Sequence, residues 1–177
     1  RGPVGVGGGR FAGVRTGAGG PRLVGGGLGT RGHGGRLGGL GAAWGWETRV
    51  RSAPSRSTRL QGWYRSGETL LTQCEAQGFR RITWFVDRPD VMPTWRIALR
   101  ADRMRYPVLL ANGNPLSCSD LDDGRHQAVW ENPHPTPSYL FALVAGQLDC
   151  VRKDIVTAEG RAVRLQVWAA KADVPRC

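Results

Sequence analysis

The chain has 177 residues, enough for one domain of ordinary size, and a formal charge of +11. Residues 1–59 hold ten arginines against one acid, Glu47, and so carry +9 of that charge; the remainder is nearly neutral at +2, which excludes a uniformly basic globular surface. The longest apolar run, residues 139–145, falls far short of the roughly 20 residues a membrane-crossing helix needs, so no membrane partner is expected.

Residues 1–46 are of low complexity, with 20 of the 27 glycines and no Lys, Ile, Asp or Asn. Glycine loses more backbone freedom on ordering than any other residue, and the apolar content is too small to offset that loss. A disordered Gly/Arg-rich tail is therefore predicted. The composition also fits GC-rich codons read in an unselected frame, so a mis-framed segment is the other reading. The tail has no apolar stretch of the kind a secretory signal carries, and it is too Gly-rich for an amphipathic transit helix.

A β domain is expected over residues 47–177. Strands are predicted at 47–51, 58–64 and 69–75, while 79–85 fits a short helix or a strand. Residues 95–101 alternate Trp95, Ile97 and Leu99 with Arg96, Ala98 and Arg100, the pattern of a half-buried strand. A strand at 106–110 leads to a turn at Asn112, Gly113, Asn114 and Pro115. Another strand follows at 127–131, then a Pro-rich link at 132–137. The continuous apolar run 139–146 reads as a strand buried on both faces. Strands at 151–156 and 163–168 are joined through Glu159 and Gly160 as a hairpin. Short strands at close spacing give a mainly β fold, an antiparallel sandwich.

Cys74, Cys118, Cys150 and Cys177 show no C-x-x-C spacing and read as reduced, buried thiols of a cytoplasmic protein. The three histidines, His33, His126 and His134, are scattered, and none opens an H-E-x-x-H motif. No metal ligand, catalytic residue or cofactor is assigned within this chain.

Four segments carry more than composition. One runs Thr72-Gln73-Cys74-Glu75-Ala76-Gln77-Gly78-Phe79-Arg80-Arg81-Ile82-Thr83-Trp84-Phe85 and on through Asp87-Arg88-Pro89-Asp90. The others are Leu60-Gln61-Gly62-Trp63-Tyr64-Arg65-Ser66-Gly67, Tyr106-Pro107-Val108-Leu109-Leu110-Ala111-Asn112-Gly113-Asn114, and Pro137-Ser138-Tyr139-Leu140-Phe141-Ala142-Leu143-Val144-Ala145-Gly146. In this order and spacing they resemble the N-terminal domain of bacterial aminopeptidase N enzymes. The resemblance runs from about Glu47 to Cys177. It implies a saddle-like β domain that packs on a zinc-dependent catalytic domain, in an enzyme that removes N-terminal amino acids from peptides. The zinc motif H-E-x-x-H and the substrate-gripping G-x-M-E-N loop of that family are absent from this sequence. The chain is thus expected to be a fragment, inactive alone, whose partners are the missing catalytic domain and a peptide N-terminus. The family's first strands precede the region near Glu47, so part of one sheet is expected to be missing.

Gln73 and Glu75 stand two residues apart, a spacing that puts both side chains on one face of a strand with Cys74 on the other. The bland alternative is a solvated Glu on an edge strand. The resemblance implies substrate binding: Glu75 pairs with the free α-amino group, and Gln73 lines the pocket for the first side chain. Asp87 and Asp90 flank Pro89 and read as turn-forming groups rather than a catalytic dyad. Arg80 and Arg81 read as ion-pair or interdomain contacts, and most of the seven tryptophans as core or interface anchors. The alternative function is nonspecific nucleic-acid binding by the Arg-rich tail, driven by phosphate contacts. A stand-alone interaction domain is a third.

Overall fold

The computed structural model describes residues 10–15, as backbone, and residues 50–177. Among the described residues ten strands form three antiparallel sheets. The strands are β1 (Arg10–Arg15), β2 (Gly62–Ser66), β3 (Thr69–Gln73), β4 (Trp95–Asp102), β5 (Val108–Ala111), β6 (Asn114–Asp120), β7 (Arg125–Asn132), β8 (Leu143–Gly146), β9 (Asp149–Val156) and β10 (Ala162–Ala169). The first sheet has the order β1-β4-β7-β6, and the second β2-β3-β8-β5. Among the described residues β9 and β10 pair only with each other, in register from Asp149 opposite Ala169 to Val156 opposite Ala162.

The two four-stranded sheets bury their facing sides against each other. From the first sheet come Trp95, Ile97, Leu99 and Ala101 of β4 and Ala128 of β7. From the second come Leu70, Leu109, Leu143 and Ala145. Alternation along β4 is complete, with Arg96 and Arg100 exposed between buried neighbours. Each large apolar side chain removed from water this way contributes about 1.5–3 kcal/mol. Phe79, fully buried, closes one end of the core; its ring meets Phe85, Trp95 and Phe141 edge-on at 5.0–5.2 Å between centroids. This antiparallel two-sheet body is the mainly β sandwich that the alternating patterns predict.

Several boundaries differ from the sequence reading, each for a local reason. The apolar run 139–146 is not one strand: a 3-10 turn covers Ser138–Leu140, and β8 starts only at Leu143. The side chain of Asn112 takes the backbone groups a continuous strand would need, donating to the Leu140 carbonyl at 3.0 Å and accepting from the Ala142 N–H at 2.6 Å. Strand β6 was not foreseen, because Asn114, Pro115, Ser117, Ser119 and Asp120 have little strand preference; it is an exposed edge strand with a bulge, a usual edge protection. Gly113, which turns the chain into β6, has φ +89°, and a Cβ there would collide with the Glu131 carbonyl. Strand β2 begins at Gly62 rather than residue 58, and residues 50 and 51 are not strand. Residues 79–85 contain only a 3-10 turn, Phe79–Arg81.

Within the segment expected to lack regular structure, Arg10–Arg15 forms β1 at the edge of the first sheet, antiparallel to β4. The open edge of β4 offers a row of backbone donors and acceptors, and a segment without proline can pair with it whatever its composition. The rest of the tail, with His33, Trp44, Trp46 and the start of the strand expected at 47–51, lies outside the described residues. The cysteines need a correction too. Only Cys74 is buried; Cys150 is half-buried, and Cys118 and Cys177 are exposed because β6 and the C-terminal turn are not covered.

Candidate functional site

Strand β3, an inner strand of the second sheet, ends at the residues of interest. It pairs with β2 on one side, Gln73 opposite Gly62, and with β8 on the other, Leu70 opposite Ala145. The strand expected to reach Glu75 stops at Gln73, and Glu75 stands in the turn that follows. Gln73 and Glu75 are both exposed, and Cys74 between them is 2% exposed and points into the core.

The turn is closed tightly. Gly78 N–H donates to the Cys74 carbonyl at 2.7 Å. A Cβ at Gly78 would lie 2.5 Å from the Gln73 carbonyl oxygen and 2.9 Å from the Cys74 Cα, so only glycine lets the returning chain lie this close to the end of β3. Thr72 ties the same strand end to the neighbouring segment: its hydroxyl accepts from the Leu143 N–H at 2.9 Å and donates to the Phe141 carbonyl at 3.5 Å.

Asp87 is buried behind this turn. Its Oδ2 accepts from the Arg80 N–H at 3.0 Å and from Arg80 Nε at 3.2 Å, and its Oδ1 accepts from the Ser138 hydroxyl at 2.5 Å. The Arg80 guanidinium also reaches the Asp87 carbonyl at 2.9 Å. Ser138 is 1% exposed. Burial, and then the charge of Asp87, push the Cys74 thiol up to about 12 from an ordinary value near 9. Asp87 is therefore not a group of the Pro89 turn: the backbone N–H its side chain accepts comes from Arg80, seven residues earlier. Asp90 faces away, in an exposed pair with Arg88 at 2.7 Å that holds its carboxyl below the usual range. The two acids thus have separate partners and form no dyad. Arg81 donates to the Gln61 side chain at 2.8 Å.

Of the three histidines, His126 and His134 lie among the described residues. His126 is buried, and its Nε2–H donates to the Tyr106 carbonyl at 2.7 Å; His134 is exposed in the Pro-rich link. Among the described residues no three His, Cys, Asp or Glu side chains stand close enough to hold a metal, so the residues present do not fit a zinc site. No helix among them is long and apolar enough to cross a membrane. Of the tryptophans, Trp95 is buried, Trp63 and Trp130 pack on the core, and Trp84 is exposed. Ser138 is the functional-looking residue that sequence reasoning passed over; its one signal was a small hydroxyl directly after Pro137 inside a matched segment.

Comparison with known proteins agrees with this architecture. The family description "Peptidase M1 N-terminal domain" matches residues 53–140. Aminopeptidase N of Haemophilus influenzae is 47% identical over 123 residues, which is 70% of this chain and 14% of that protein. Aminopeptidase N of Escherichia coli is 45% identical over 124 residues, again 70% of this chain and 14% of the relative. The crystal structure of Legionella pneumophila aminopeptidase A in complex with aspartic acid superposes with a TM-score of 0.65 at 35% identity, covering 67% of this chain and 14% of that one. The chain therefore spans about one seventh of the length of these relatives. Sequence, topology and solved relatives converge: the chain belongs to the M1 peptidase family, as an N-terminal β domain of the aminopeptidase N type.

Proposed function

We propose that this domain serves a zinc-dependent aminopeptidase by presenting Glu75 to the free α-amino group of a peptide, with Gln73 beside it against the first side chain. The observation that carries the reading is the turn after β3: two exposed polar residues flank a buried one, on a backbone fixed by Gly78 and by Thr72. An α-ammonium has a pKa of about 8 and is cationic near neutral pH. A carboxylate recognises it through charge-assisted hydrogen bonds, which are stronger than neutral ones. An internal peptide bond offers no such amine, so this contact reads position in the chain rather than sequence. Zinc and the hydrolytic step belong, on this reading, to a catalytic domain with which the β domain works, in a cytoplasmic enzyme. The chain by itself binds the amine and cleaves nothing.

The test uses the ionisation of the ligand. A dipeptide with a free α-amine should perturb the NMR signals of Glu75 at pH 6.5 and lose that effect at pH 9.5, where the amine is neutral. Glu75→Gln should abolish the response at pH 6.5. A response in the Gln variant equal to that of the wild type would remove the assignment.

A further inference from the structure

We propose that Asp87 is a positioning residue for this amine site, holding the Glu75 turn in place through a buried junction of three segments; the inference rests on the reading of Glu75 just given. Residues far apart in sequence meet at one carboxylate. Arg80, which follows the turn, donates both its backbone N–H and its Nε to Asp87, and Ser138 donates from 51 positions away. Both carboxylate oxygens are engaged, and the group is almost fully shielded, with the Asp87 side chain 3% exposed against 51% for Arg80. A buried carboxylate is retained only where several donors satisfy it, so its donors are fixed in turn.

What it fixes is short. Arg80 stands two residues beyond Gly78, whose N–H closes the turn on the Cys74 carbonyl. Phe79 between them is fully buried among three aromatic rings. The segment from Cys74 to Arg80 is therefore pinned at its start by Cys74 in the core and at its end by Phe79 and the Arg80–Asp87 bonds. Glu75, Ala76 and Gln77 are exposed between the pins. Ser138 extends the junction to the segment whose continuation, Phe141 to Leu143, bonds Thr72 on the strand that ends at Gln73. Asp87 thus couples both flanks of the site while almost fully shielded from solvent. Loss of the carboxylate should let the turn rock while the sheets stay intact.

Amide hydrogen exchange on the full chain separates this role from general stability. In Asp87→Asn, exchange at Gly78 and Arg80 should rise about tenfold or more, while amides of Ile97 and Leu99 in the first sheet change by less than about twofold. The response of Glu75 to a free-amine dipeptide should shrink in parallel. Ser138→Ala, which leaves the Arg80 bonds in place, should give a smaller change at the same amides, and it carries the test if the Asn variant does not fold. Uniform acceleration across the sheets, unchanged exchange at Gly78 and Arg80, or an undiminished amine response would each overturn the proposal. Failure of the amine assignment looks different: Glu75→Gln would then keep the amine response, whereas the exchange pattern of Asp87→Asn would be unaffected by that result.

Discussion

The sandwich body and the β9–β10 hairpin are built from equally strand-like sequence but stand in different surroundings. In β4 every second residue is buried: Trp95, Ile97, Leu99 and Ala101. In the hairpin the paired positions Val151 with Val167, Lys153 with Leu165, and Ile155 with Val163 also share one face, and that face is mostly apolar. Yet Val151, Ile155, Leu165 and Val167 are 36–51% exposed, and no described sheet covers them. Alternation therefore specifies which face of a strand would be buried. Whether it is buried depends on a second layer. Its cross-strand support is local instead: Arg164 reaches Asp154 at 2.9 Å in an exposed pair, a contact screened by water and worth little.

Substitutions can break or sharpen this contrast. The largest effect is expected at Phe79. Truncation to Ala removes a fully buried ring with three aromatic partners and should cost about 3–5 kcal/mol in urea unfolding. In the hairpin, Val167→Thr should stay within about 0.5 kcal/mol, the range of ordinary surface changes. If the two costs were comparable, the hairpin face would be covered in solution and the contrast would fail.

A subtler effect belongs to Cys74, at the junction of body and site. Its thiol is held up to about 12 in the fold, against about 9 when unfolded. Below about pH 9 both states keep the proton and the thiol is neutral in its matching effect. Between about 9 and 12 the unfolded chain loses a proton that the folded one retains, so stability falls as pH rises through that window. Cys74→Ser should flatten this alkaline decline in pH-dependent denaturation, and an equally steep decline in the variant would contradict the burial assigned to the thiol.

How much of this was legible in the sequence follows from what each element depends on. β4 and the β9–β10 hairpin were readable because alternation and turn residues are local signals. Residues 139–146 misled, because the interruption comes from Asn112 nearly thirty positions earlier, which no local pattern reports. β6 escaped because an exposed edge strand needs no apolar alternation. At the site, Gln73 and Glu75 were legible through the resemblance, but their placement was not: strand spacing suggested one shared face, whereas the strand ends between them and the turn sets their relation. The Asp87–Ser138 bond joins residues 51 apart and was invisible for the same reason as the Asn112 contacts.

The measurement that tests the central claim most directly is a residue-resolved NMR titration of the full chain with a dipeptide and with its N-acetylated counterpart. A single exposed contact should bind more weakly than about 1 mM, within reach of such a titration. Shifts confined to residues 73–77 with the free amine, and absent with the acetylated peptide, are the predicted result. Equal shifts with both peptides, or shifts centred elsewhere on the sandwich, would contradict the assignment of Glu75 as the group that recognises a peptide's N-terminus.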